Sequence, residues 1–305
     1  MVNSLIGALE SGLLYALMAL GVYITFRILD FPDLTVDGSF TTGGAIAAVM
    51  ITKGADPLTA TLLACCGGIL AGIVTGLLHT KGRINGLLSG ILMMIALHSI
   101  NMRILGKPNV ALLGEKTIFS SISPLWLMPF VVLAIKLLLD LFFKTDIGLA
   151  LRATGDNKRM IRSFGAHTDS TIILGLSLSN GLVALSGALI AQQSQFADIS
   201  SGIGMIVIGL ASVIIGEAIL GARTVFFATL AAVIGSIVYR MVVALALRID
   251  WFEQTDLKLI TAVIVIVALV LPSMRRASKQ RTLGRRRSRE IVETTGENAG
   301  FGGGR

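Results

Sequence analysis

A chain of 305 residues that is 54% hydrophobic and only 14% charged, with a mean hydropathy of +0.82, cannot clothe itself in water-compatible surface. Soluble domains carry about 25% charged residues, so lipid must serve as solvent for much of this one. The net charge of +8 does not point to nucleic acid, because eight Lys/Arg cluster between Arg275 and Arg289, directly after the last apolar run; that is the pattern of a cytoplasmic flank.

A helix crossing hydrocarbon needs about 20 mainly apolar residues. The first run, 4–26, has no basic region ahead of it and no small-residue cleavage site followed by soluble sequence, so it reads as a retained helix. The second, 36–51, is short and opens with Thr35, Asp37 and Gly38 before Gly43 and Gly44, which predicts a broken or half-length helix facing protein or a watery path. Runs follow at 57–79, 86–104, 124–143, 169–191, 201–220, 225–247 and 257–272. The expected fold is an all-α polytopic bundle of about nine spans, eight to ten allowing for uncertain boundaries. Cys65 and Cys66 are adjacent, point about 100° apart on a helix, and read as small packing residues. Gly68, Gly72 and Gly76 form a small-residue stripe on the third run.

The loops set the orientation. Lys81 and Arg83, then Lys144, Arg152, Lys158, Arg159 and Arg162, then the tail, all fall on one side under nine alternating spans. That side is the cytoplasm by the positive-inside rule, which puts the N-terminus outside and the C-terminus inside. The opposite loops, 52–56, 105–123, 192–200 and 248–256, are poor in basic residues, and the last carries Asp250, Glu253 and Asp256. The domain expectation is a transmembrane unit over 1–274 with a cytoplasmic loop at 144–168. A basic, Gly-rich tail over 275–305 has too little apolar surface to fold.

Within the 144–168 loop, residues 147–153 and 158–164 predict two short amphipathic helices turned by Gly155, Asp156 and Asn157, with Asp156 or Asn157 as N-cap. Such helices either lie in the lipid interface or dock into a groove on a partner, and their residues fit both.

The stretch GLALRATGDNKRMIRSFG, with Ser186-Gly187-Ala188 in the next run, resembles the cytoplasmic coupling region of importer permeases of the branched-chain amino acid and ribose type. The recurring Gly, Arg-Ala, Asn/Asp and Gly of that family fall on Gly148, Arg152-Ala153, Asn157 and Gly165, with Gly155 in the turn between. DLTVDGSFTTGGA at 33–45 is similar to the Asp-Leu-Ser-Val-Gly that opens the family's second helix. GIGMIVIGLASVIIGEAILG at 202–221 resembles a less studied branch, uncharacterised or serving aromatic amino acids, and departs from the ribose branch, where a pair of glycines is more usual. The resemblance implies a permease subunit of an ATP-binding-cassette importer in the bacterial inner membrane, acting as a homodimer or with a paralogous permease. It implies separate ATPase subunits on the coupling segment, an extracytoplasmic solute-binding protein, and a small solute, with small or aromatic amino acids leading. The chain has no Gly-x-x-x-x-Gly-Lys-Ser/Thr phosphate loop, so any ATP must be hydrolysed by a partner; no cofactor or metal is expected.

Ionisable groups at membrane depth mark function or pairing, and those singled out are Glu10, His98, Arg103, Glu217 and Arg240. Glu10 and Arg103 are expected to snorkel. Glu217 is expected to approach a basic residue of the coupling loop, and Arg240 the outer interface. His98 and Asn101, three apart, share a helix face; they either make interhelical hydrogen bonds or line the solute path. Asp33, Thr35, Asp37 and Ser39 either cap and hydrate a turn after Pro32 or line that path. A stand-alone transporter or channel is the alternative, and it would need midplane carboxylates. An intramembrane enzyme would need a cluster that His79, His98 and His167, on separate segments, do not make.

Overall fold

The computed structural model describes residues 2–120, 122–165, 167–222 and 224–247, together with 259, 261–263 and 265–266. The acidic loop 248–256 and the basic tail 275–305 lie outside the described residues, as does most of the run at 257–272. Among the described residues the chain forms ten α-helices and one two-stranded ribbon. Six helices are long and apolar enough to cross a membrane: Leu5–Ile28, Pro57–Thr80, Gly86–Leu105, Pro124–Phe142, Thr168–Ser194 and Val225–Ala246. The chain is thus a polytopic helical membrane protein.

Helix α1 (Val2–Tyr23) runs into a π-helical turn, Ile24–Ile28. Asp30 then adopts the left-handed conformation at φ +50°, and the Phe31 N–H reaches back to the Thr25 carbonyl. This reversal launches α2 (Thr35–Thr52) back alongside α1. The expected break does not occur: α2 is continuous over 18 residues, with Gly43 packed on the Ala184 backbone and Gly38 against the Leu97 side chain. Helices α3 (Pro57–Thr80) and α4 (Gly86–Leu105) follow, started by the side chains of Asp56 and Asn85. Strand β1 (Asn109–Ala111) precedes α5 (Pro124–Phe142). The hairpin of α6 (Asp146–Asp156) and α7 (Lys158–Ser163) leads to α8 (Thr168–Ser194), the longest helix. Strand β2 (Phe196–Asp198) pairs antiparallel with β1, and α9 (Met205–Leu220) and α10 (Val225–Ala246) complete the described bundle.

Helix α8 is the axis of the packing. The Gly68, Gly72 and Gly76 stripe of α3 lies on α8: a Cβ at these positions would strike the Asn180 and Leu176 carbonyls and Ile173. Close approach of backbones through small residues is the main way helices gain contact in lipid, where apolar burial adds little. Helix α2 runs parallel to α8, with Ser39 beside Asn180 and Gly43 against Ala184. Helix α1 runs antiparallel to it, its Gly21 and Leu14 carbonyls accepting from Ser179 and Ser186. The bundle therefore has a hairpin end, with α6–α7 and the 80–85 loop, and a ribbon end, with β1–β2 and the 52–56 loop.

Candidate functional site

Two helices start inside the bundle rather than at its ends. Helix α2 begins beside the middle of α8, since Asp33 and Ser39 both meet Asn180, 12 residues and roughly 18 Å beyond the start of α8 at 1.5 Å per residue. The Thr35 N–H donates to Asp33 Oδ1 at 2.9 Å, Asn180 Nδ2 to Asp33 Oδ2 at 2.7 Å, and Ser39 Oγ to Asn180 Oδ1 at 2.7 Å. The Thr35 and Thr75 hydroxyls meet at 2.8 Å. Asp33, Thr35, Ser39 and Asn180 are all 0% exposed. A buried carboxylate needs such partners, so this knot fixes the start of α2 to α8 and α3. It does not hydrate a turn.

Helix α9 begins at the same level. After β2 the chain dips back into the bundle, and the 16-residue α9, about 24 Å long, starts where Gly204 takes a left-handed φ of +87°. No side chain of its own caps it. Asp37 of α2 does so across the helix boundary: the Gly204 N–H donates to Oδ2 at 2.9 Å and the Ile206 N–H to Oδ1 at 2.8 Å. The Gly202 N–H adds a bond to Thr41 Oγ1. Helix α9, like α2, thus starts partway along α8, after Ser200 to Gly204 leave helical geometry.

Between α2, α4 and the start of α9 lies a cavity of about 610 Å³. Asp37, Thr41, His98, Ser99 and Asn101 supply its polar lining, and Met94, Ile95, Ile203 and Val207 are among its apolar walls. Of the six expected path residues the structure brings Asp37, His98 and Asn101 here, while Asp33, Thr35 and Ser39 stand behind in the knot. His98 is exposed at the mouth; Asn101 is fully buried, donates through Nδ2 to the Gly38 carbonyl at 3.2 Å, and leaves Oδ1 without a partner.

At the hairpin end, α6 and α7 form nearly as expected, but α6 runs to Asp156 and the break is Asn157 alone, whose Oδ1 accepts from the Met160 N–H. Gly148 packs on the Phe142–Phe143 backbone and Gly155 on the Ile28 carbonyl, each too closely for a Cβ. Ala153 is half-buried, Leu151 is buried, and Gly165 at φ +83° ends α7. Ile147, Leu149, Met160 and Phe164 are exposed, Phe164 at 78%. A second cavity, about 300 Å³, is lined by Tyr23, Arg27, Arg152, Asp156 and Glu217.

Several polar residues differ from expectation. Glu217 pairs with Arg27 (Nε–Oε1 2.8 Å, Nη2–Oε2 2.5 Å) rather than with the hairpin, because the π turn swings Arg27 toward α9; Arg152 shares only the cavity. Arg240 is half-buried, with its guanidinium 3.6 Å over the Tyr15 ring, a cation–π contact that tolerates burial. Glu10 is half-buried and accepts from Gln193 at 3.5 Å, whereas Arg103 is exposed. Sequence reasoning passed over Asn180, a lone amide in an apolar run. It also passed over Lys136 and Asp140, whose i,i+4 spacing was a legible ion-pair signal. They pair at 2.5 Å, 2% and 6% exposed, with Thr229 donating to Asp140 and the Phe226 ring under Lys136.

Residues 4–270 match the family described as branched-chain amino acid transport system permease component. The chain is 47% identical over 268 residues to the tyrosine transport system permease protein of Clostridioides difficile, covering 88% of this chain and 90% of that one. It is 27% identical over 226 residues to the ribose import permease protein of Escherichia coli K12, covering 70% and 69%. The solved structure of PsaBC from Streptococcus pneumoniae in complex with Fab shares the fold at a TM-score of 0.50 and 15% identity, over 87% of this chain and 89% of that one. The chain belongs to the branched-chain amino acid transport permease family. It is a multi-pass plasma-membrane permease subunit of the ATP-binding-cassette importer class and not itself an enzyme.

Proposed function

Starting from that family membership, we propose that this permease forms half of an importer whose solute is an amino acid, aromatic ones leading. Two copies, or this chain and a paralogous permease, enclose the path. ATPase subunits seat on the α6–α7 hairpin, and a solute-binding protein delivers to the ribbon end. The hairpin end is the cytoplasmic one, which places the N-terminus outside across about nine spans. The domain layout is a transmembrane unit over 1–274 followed by the tail 275–305.

The observation that carries the docking role is the hairpin itself. It presents Ile147, Leu149, Met160 and Phe164 outward beside basic side chains, while Leu151 and Gly155 bind it to the end of α1. A rigid seat with an exposed apolar ridge transmits a push; a helix lying loosely in lipid does not. Gly148, Arg152, Ala153, Gly155, Asn157 and Gly165 shape that seat. The solute path is assigned to the cavity of Asp37, His98 and Asn101, where α9 starts within the bundle, as discontinuous helices do around solutes in other transporters. Similarity to a tyrosine permease supports an amino-acid solute.

Arg152→Ala and Gly155→Val, in permease reconstituted with its ATPase and binding protein, should abolish solute-stimulated ATP hydrolysis while the variants still insert and purify. Unchanged coupling in both would defeat the docking assignment, and uptake by the permease alone would favour a stand-alone transporter.

A further inference from the structure

Resting on the assignment of the α2–α4–α9 cavity to the solute path, we propose that this cavity recognises its solute by an ammonium group. Asn101 Oδ1 is the acceptor, and the Asp37 carboxylate biases the cavity against a solute whose only charge is negative.

Asn101 is 0% exposed and spends its Nδ2 on the Gly38 carbonyl, which fixes the orientation of the amide. Its Oδ1 has no hydrogen-bond partner and belongs to a residue lining the cavity. A buried acceptor left open is destabilising until a donor arrives. Asp37, a few residues away on the facing helix, accepts from the neutral Gly204 and Ile206 N–H groups, so the α9 dipole offsets its charge in part. Among the described residues lining the cavity none is Lys or Arg. An anionic head would find no Lys or Arg here and only His98 at the mouth, whereas an ammonium would find an acceptor and a favourable field. Met94, Ile95, Ile203 and Val207 offer the rest of the solute an apolar wall. About 610 Å³ lies within the range of small-molecule sites.

The test uses the permease–ATPase complex in lipid nanodiscs and three probes: L-tyrosine, tyramine and 3-(4-hydroxyphenyl)propionate. Tyrosine and tyramine should bind at least about tenfold more tightly than the propionate, the scale of one charge-assisted hydrogen bond. Asn101→Leu should weaken tyramine binding by about tenfold or more, while Asn101→Asp, which keeps an acceptor, should hold or improve it. Both substitutions delete the donation to Gly38, so a merely structural Asn101 would weaken both variants alike. That outcome, equal binding of the propionate, or failure of tyramine to bind would overturn the proposal. The path assignment is read separately. A thiol reagent on Ser99→Cys, with Cys65 and Cys66 replaced by alanine, should block ATP-driven tyrosine uptake; uptake that continues would sink the path assignment and leave the binding results standing.

Discussion

Removing the carboxylate of Asp37 should loosen the start of α9. Two backbone N–H groups, of Gly204 and Ile206, donate to it at 2.9 and 2.8 Å within the bundle. Hydrogen bonds to a charged group contribute about 1.5–3 kcal/mol each, which sets a ceiling near 6 kcal/mol for the pair. Loss of an ordinary N-cap costs about 0.5–2 kcal/mol, and the site lies beside a cavity that water can enter. An intermediate cost of about 2–3 kcal/mol is expected for Asp37→Ala. Asp37→Asn, which keeps one acceptor oxygen, should lose about half of that. The opening equilibrium of residues 199–206 should rise by about 30- to 150-fold in the alanine variant. Hydrogen exchange followed by mass spectrometry on the complex in nanodiscs reads this directly, with the peptide covering the middle of α8 as internal control. Exchange of the α9 start that matches wild type in Asp37→Ala would refute the reasoning, as would equal effects of Ala and Asn.

Three further outcomes are expected. Lys136→Met alone leaves a buried carboxylate and should destabilise by about 3–5 kcal/mol, whereas Lys136→Met with Asp140→Leu should recover most of that in a thermal melt in detergent. Gly72→Ala drives a methyl into the Leu176 carbonyl and the Ser177 backbone and should lower stability by about 1–3 kcal/mol, seen as a fall in midpoint in the same melt. Arg27→Glu sets two carboxylates together at the hairpin end; Arg27→Glu with Glu217→Arg should restore transport, with a coupling of at most about 1 kcal/mol because Arg27 is half in solvent.

Apolar runs made most helices legible. The expected spans at 57–79, 86–104 and 124–143 end within a residue of α3, α4 and α5, because Asp56-Pro57, Asn85-Gly86 and Ser123-Pro124 mark their starts locally. The α6–α7 hairpin was legible for the same reason, through Asn157. The start of α9 was not. Residues 201–220 read as one mainly apolar run, and what caps the helix start at Gly204 is a carboxylate 167 positions earlier in the chain. Asn180 and Asp33 likewise explain one another only once α2 lies on α8. Arg240 was assigned by depth alone, and its aromatic partner Tyr15 lies on a helix more than 200 residues away. Hydropathy ranks segments by their affinity for lipid; it carries nothing about which polar side chains meet.

The serine hydroxyls hooked on α1 constrain how this bundle can work. Ser179 and Ser186 of α8 hold the Gly21 and Leu14 carbonyls, and Ser236 of α10 holds the carbonyl of Gly12. Sliding α1 by even one residue would unfasten all three at once in a medium with no water to replace them. Helices α1, α8 and α10 are therefore pinned to one another against sliding. At the other joint, Asp37 and Thr41 tie the start of α9 to α2 through bonds from the Gly202, Gly204 and Ile206 N–H groups.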